Sequence, residues 1–170
     1  MHIRREQISD LPGIRVVNEV AFKRLEEADL VDRLRQNCPE SLSLVAVDQG
    51  RVVGHVLFTP VTLTGGGQSV AGMGLAPLAV LPERQGQGIG SRLVHGGLEI
   101  LQERACPYVI VLGHADYYPR FGFEPASRYG IRCQWENIPE DAFMVLIFDS
   151  AALKGVTGVA YYRDEFNEAM

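Results

Sequence analysis

The sequence predicts an α/β chain of the α+β type, built on a mixed, mostly antiparallel sheet. Three observations predict it. Two stretches of helical periodicity stand ahead of the well-patterned strands. The chain from Ser43 to Leu81 then reads as strands joined by glycine turns. Finally, one helix, Ser91 to Arg104, connects two strand-like runs, and a strand, helix, strand unit normally makes its strands parallel and right-handed.

Ile3 to Glu6 is a short opening strand. Ser9-Asp10-Leu11-Pro12 offers a cap followed by proline in the first turn, which is a helix start, and Ile14, Val17, Ala21 and Phe22 follow at steps of three and four. Leu25, Ala28, Leu30, Val31 and Leu34 repeat the pattern with charges between them until Asn37-Cys38-Pro39 stops it. From Ser43 the period changes. Leu44 to Val47 runs into the polar turn Asp48-Gln49-Gly50-Arg51, and Val52 to Phe58 resumes, as in an antiparallel hairpin. Thr59 to Thr64 extends the second strand, Gly65-Gly66-Gly67-Gln68 turns, and Val70 to Leu81 returns. Leu93, Val94, Leu98 and Leu101 share one face of the helix that leads to the strand Tyr108 to Leu112. Within that helix Gly96-Gly97 suggests either close packing on the sheet or simple tolerance. Ala142 to Phe148 reads as a strand buried on both faces, and Gly155 to Met170 as a tail with an acidic end.

Composition narrows the function classes. The chain has 170 residues, 16 Lys and Arg against 21 Asp and Glu (net charge −5), 46% apolar and 22% charged residues. That is ordinary globular usage for one domain, and it argues against disorder and against a nucleic-acid binder with a basic field. Val70 to Leu81, the longest nearly uncharged run, is broken by glycines and Pro77 and falls short of the about 20 apolar residues a bilayer requires. Met1 to Glu6 opens no apolar signal region, and Cys38, Cys106 and Cys133 form no Cys-x-x-Cys pair, so the expectation is a cytoplasmic protein with reduced, buried thiols and neither membrane nor nucleic acid as partner. No zinc-like histidine or cysteine spacing is present, so no metal is expected.

The most informative stretch is Val80-Leu81-Pro82-Glu83-Arg84-Gln85-Gly86-Gln87-Gly88-Ile89-Gly90-Ser91, a strand end, a glycine loop and a helix start in succession. Glycines let several backbone N–H groups converge unobstructed, and a helix N-terminus adds about half a positive charge, so a pyrophosphate would fit. The loop lacks the Gly-Lys-Ser/Thr ending of a triphosphate loop, and Ser91 stands where a dinucleotide loop needs its third glycine. A tight turn using glycine only for its backbone freedom is the plain alternative.

Val80-x-Pro82-x-x-Gln85-Gly86-Gln87-Gly88-Ile89-Gly90 resembles the acyl-CoA pyrophosphate loop of the GNAT family of N-acetyltransferases. Downstream, Tyr118-Pro119-Arg120-Phe121-Gly122-Phe123 resembles that family's second signature, and Leu112-Gly113-His114 through Tyr117 to Phe123 is similar to a bacterial subgroup of predicted acetyltransferases. The resemblance implies one acyl-CoA N-acyltransferase domain over 1–170, with helices on both faces of the sheet and a splayed parallel strand pair binding acyl-CoA. It implies acetyl-CoA as cosubstrate, main-chain pairing of its pantetheine arm with Leu78, Ala79 and Val80, and pyrophosphate binding by Gly86, Gln87, Gly88, Ile89 and Gly90 with Gln85 and Ser91 at the edges.

Under the same resemblance a backbone N–H near Leu78 stabilises the oxyanion and Tyr118 is the acid that protonates the departing thiolate. A phenol with an ordinary pKa near 10 suits that role, and aromatic packing beside Phe121 and Phe123 is the alternative. The base is open. The strand Val70 to Leu81 has no carboxylate or histidine where many relatives place a glutamate, which leaves His114, Asp116, His55, Glu26, Glu27 or ordered water. Pro119 limits the usual helix there to a single turn. The expected partner is a primary amine of a small molecule or peptide. Glu26, Glu27, Asp29 and Asp32 would either attract a cationic amine or form a solvated face. Trp135 and Tyr161-Tyr162 could line a substrate cleft, form a subunit interface in a homodimer, or simply pack. Two other functions are compatible with parts of the pattern: a non-catalytic acyl-CoA-binding or regulatory module, and a dehydrogenase-type nucleotide domain, against which the missing third glycine speaks.

Overall fold

The computed structural model describes residues 1–169. Nine strands are seen: β1 (His2–Arg5), β2 (Leu42–Asp48), β3 (Arg51–Gly65), β4 (Gln68–Val80), β5 (Tyr108–Leu112), β6 (Glu124–Pro125), β7 (Ile131–Cys133), β8 (Phe143–Ile147) and β9 (Gly158–Tyr161). The α-helices are α1 (Leu11–Phe22), α2 (Glu26–Asn37) and α3 (Ile89–Glu103). The chain divides into two compact units. The first holds Met1–Thr59, Ala76–Glu99 and the segment from Asp164 onward; the second holds Pro60–Leu75 and Ile100–Arg163, so β3, β4 and α3 each run through both.

In the first unit β1, β2 and β3 are antiparallel, with Arg4 opposite Val45 and Val45 opposite His55. The β2–β3 turn uses left-handed Gln49 and Gly50, as the sequence predicts. Val47 pairs with Val52 but Ala46 with Gly54, so Val53 is an extra residue, a bulge that places Val52 and His55 on one face. α1 covers that face: Gly13 approaches Val52, and Asn18 bonds His55. α3 covers the other, with Ile89 and Leu93 against Gly54 and Gly97 against Phe58. Helices therefore lie on both faces. The Gly97 contact is so close that a Cβ there would sit 2.1 Å from the Phe58 ring, which decides for close packing at Gly97, whereas Gly96 is left with ordinary contacts at 3.6 Å.

Asp10 stands at the N-cap of α1 but makes no side-chain cap bond; its carboxylate accepts from Arg4 and from the Gln7 N–H instead. A polar chain runs through the interior under α1 and α2. Asn18 Nδ2 donates to the Ile14 carbonyl and to His55 Nδ1 (3.1 Å), which leaves the proton on His55 Nε2 facing Ser43 Oγ (2.9 Å). The Ser43 hydroxyl donates to Glu6, and Glu6 accepts from both Nε and Nη2 of Arg35.

In the second unit the strand order is β3, β4, β5, β8, β6, with β9 added to the end of β3 and β7 to β9. β4 and β5 are parallel, and their pairing covers Met73 to Leu75 against Val109 to Val111. β8 runs antiparallel to β5. One expectation is corrected. Gly155 onward is not a loose tail: β9 pairs with Thr62–Thr64 and lies parallel to β7, and beyond it Phe166 is buried while Arg33 of α2 engages Glu168. The physical reason is glycine. A Cβ on Gly65 would lie 1.7 Å from the Thr157 carbonyl oxygen, and one on Gly158 1.9 Å from that of Thr64, so the two backbones meet only because both residues lack side chains. Of the cysteines, all free, only Cys38 is fully buried; Cys106 and Cys133 are half-buried. No helix among the described residues is long and apolar enough to cross a membrane.

Candidate active site

The first unit carries the glycine loop. β4 ends at Val80, Leu81 returns to the sheet by donating its N–H to the Val53 carbonyl (3.0 Å), and Pro82–Arg84 makes one 3₁₀ turn. Gly86 (φ +74) and Gly88 (φ +80) then adopt left-handed conformations, and a Cβ at either would meet nothing within 4 Å. The loop is thus shaped by backbone freedom rather than by crowding, which leaves an open run of main chain. The first bond of the α3 ladder runs from the Arg92 N–H to the Gly88 carbonyl (3.1 Å), so the amides before Arg92 precede the helical hydrogen bonding and keep the positive end of the dipole. Ile89 is buried and anchors the helix start, Gln85 to Gly88 are exposed, and Gly90 and Ser91 are half-buried. Leu78 and Val80 are half-buried around a buried Ala79, and the Gln85 side-chain amide donates to the Val80 carbonyl at 3.1 Å. All ten residues expected to bind the cofactor fall within this one unit.

The second unit carries Tyr118. It begins a single 3₁₀ turn, Tyr118–Phe121, with Pro119 in the first turn and left-handed Gly122 (φ +97) ending it, as the proline predicts. Its ring is edge-on to Tyr117 and Phe123 at centroid distances of 5.1 and 5.9 Å. It also lies against Gly113, where a Cβ would stand 2.4 Å from it. Burial pushes the Tyr118 phenol above its ordinary value, and neighbouring Tyr117 adds to this. Tyr162 is a second buried phenol pushed up by burial; it feels Tyr118 electrostatically, packs on Trp135 (5.0 Å), and faces Gly74. Trp135 also lines a cleft of about 250 Å³ together with Ile131, Cys133 and Phe143, and Phe143 pairs with Leu112, one residue before Gly113. Both aromatic residues stood out in the sequence, but their mutual contact had no sequence signal.

Two base candidates are removed. His55 is fully buried with both ring nitrogens in use, and burial pushes it down to about 4. Glu27 is buried against the Arg24 guanidinium. His114 and Asp116 are exposed ahead of Tyr118. Three of the four acids of the acidic helix stand in ion pairs, Asp29 (2.8 Å) and Asp32 (2.6 Å) with Arg15, Asp32 also with Arg35 (3.0 Å), and Glu27 with Arg24, while Glu26 is exposed. Among the described residues no group of three metal-binding side chains gathers.

Residues 2–126 match the family described as the acetyltransferase (GNAT) domain. The chain belongs to the GNAT acetyltransferase family. It is 41% identical over 168 residues, 98% of its own length and 99% of the relative's, to the uncharacterized N-acetyltransferase YhbS of Escherichia coli K12. The crystal structure of the E. coli YhbS GNAT protein in complex with CoA superposes with TM-score 0.89 at 40% identity, covering 98% of this chain and 91% of that one. A GNAT acetyltransferase from Brucella melitensis in complex with acetyl-CoA gives 0.77 at 35% identity, covering 97% of each. The loop of this GNAT chain is compatible with such a ligand: Gly86 and Gly88 keep its main chain free of side chains at the positive end of α3.

Proposed function

We propose that the chain transfers an acetyl group from acetyl-CoA to a primary amine of a small molecule or peptide, by direct attack in a ternary complex. The observation that carries this reading is the open, left-handed Gly86/Gly88 cradle at the start of α3, in a family whose similar members bind CoA and acetyl-CoA. Acetyl-CoA supplies the acetyl group as an activated thioester. The N–H groups from Gly86 to Gly90 bind its pyrophosphate, with Gln85 and Ser91 at the edges, and the main chain of Leu78, Ala79 and Val80 aligns its pantetheine arm. Gln85 then releases the Val80 carbonyl. The Leu78 N–H stabilises negative charge on the thioester oxygen.

Tyr118 protonates the departing sulfur. Its burial keeps it protonated, and so able to donate, at every physiological pH. With His55 and Glu27 locked in structural contacts, the amine loses its proton through ordered water or one of the exposed His114, Asp116 and Glu26. The Trp135 cleft takes the body of the acceptor. Both units serve one catalytic domain spanning 1–170, which acts in the cytoplasm, where its three free thiols stay reduced.

Calorimetry on the intact chain and on Gly88→Glu tests the reading. Acetyl-CoA binding that disappears in the variant is expected, because a carboxylate at Gly88 repels the pyrophosphate; absence of binding to the native chain would sink the proposal. A non-catalytic acyl-CoA-binding module is favoured by one feature, the lack of any carboxylate or histidine on β4. Thiol release that depends on amine, across a broad amine panel, excludes it.

A further inference from the structure

Resting on the reading that the glycine loop binds the pyrophosphate, we propose that Arg84 and Asp48 are positioning residues. They fasten that loop to the β2–β3 turn and hold its binding shape without touching the ligand. Arg84 reaches in two directions at once. Its Nη2 lies 2.9 Å from Asp48 Oδ2, and its Nε donates to Gln87 Oε1 at 3.2 Å. Gln87 stands between the two left-handed glycines and donates its own amide to the Glu83 carbonyl at 3.4 Å. Glu83 in turn faces Arg51 at 3.5 Å.

The charges are matched crosswise. Asp48 and Arg51 are cross-strand partners on either side of the Gln49-Gly50 turn, and each meets the opposite charge on the adjacent pair Glu83-Arg84. The Arg84 hydrogen bond, together with the α-amino group of Met1 at 3.3 Å, holds the Asp48 carboxyl below the usual range, so the grip persists at neutral pH. The loop gains from such a grip because its two left-handed glycines have no side chains to pack, and glycine surrenders more backbone entropy on ordering than any other residue. Ordering the loop before binding lowers the cost of binding. A half-exposed ion pair adds little to global stability, so the effect appears in affinity.

Lysine at 84 keeps the charge but cannot reach both partners. CoA binding by calorimetry is expected to weaken about 5-fold in Arg84→Lys and in Asp48→Asn. The double variant is expected to be no weaker than either single one. Asp48→Glu is expected to restore affinity, and melting midpoints to stay within about 2 °C throughout. Wild-type affinity in Arg84→Lys, losses that multiply in the double variant, or a fall in melting midpoint that tracks the loss would each overturn the assignment. Wild-type binding with unaffected variants overturns this assignment alone; a native chain that ignores CoA overturns the acetyltransferase reading beneath it as well.

Discussion

At the scale of residues, Tyr118 carries the chemistry that can be tested most directly. Its hydroxyl is the proposed donor, while its ring is held by Tyr117, Phe121, Phe123 and Gly113, so deleting the oxygen leaves the packing in place. Tyr118→Phe is expected to lower kcat by about 100-fold or more with the acceptor that an amine panel identifies, and to leave acetyl-CoA affinity and melting midpoint unchanged. Retained turnover would return Tyr118 to a packing role. The residue was legible because a tyrosine four positions before Gly122-Phe123 is a motif. Tyr162 also stood out, but its electrostatic coupling to Tyr118 was not legible, because that contact depends on the pairing of β9, and no local pattern announces it.

Among the elements, legibility followed length, with the four-residue opening strand β1 as the exception. The helices α1 to α3 and the strands β2 to β5 and β8 have enough residues for a period to repeat, and each was readable within a few positions. β6, β7 and β9 have two, three and four residues, too few for any alternation, and β9 holds its place through the side-chain-free approach of Gly158 to Gly65. The glycine pair of α3 shows how far sequence can go: it indicated close packing or tolerance, and the structure assigns one to each residue. Gly97→Ala is expected to destabilise by about 2 kcal/mol, because fully buried Phe58 has no room to withdraw. Gly96→Ala is expected to stabilise by about 1 kcal/mol through helix propensity alone. Urea unfolding of the two variants checks both signs; equal effects would mean that Phe58 repacks.

For the molecule as a whole, the buried polar chain from Asn18 to Arg35 ties stability to pH. Burial, aided by Arg35 and opposed by Glu6, keeps folded His55 neutral down to about 4, whereas the unfolded chain binds that proton near 6.5. Between these values the unfolded state holds more protons, so stability is full above about pH 6.5 and falls as pH falls. Burial alone would raise Glu6, but Arg35 and Ser43 outweigh it and hold its carboxyl below the usual range, so its contribution is lost only at lower pH still. Urea unfolding at pH 5 is expected to give about 2 kcal/mol less stability than at pH 7.5, and His55→Gln to flatten the difference. A flat native profile would show that His55 charges without unfolding the chain.

The pairing of β9 with Thr62–Thr64 also sets an order of events during synthesis. β3 and β4 leave the ribosome long before Gly158–Tyr161 exists, and at about 5–20 residues per second the intervening chain takes several seconds to make. Through that interval the far end of β3 presents unsatisfied amides and carbonyls beside apolar Val61 and Leu63, a template for stray strands from other nascent chains. The late strand thus acts as a seal on an edge that stays open until the last stretch of the chain is made.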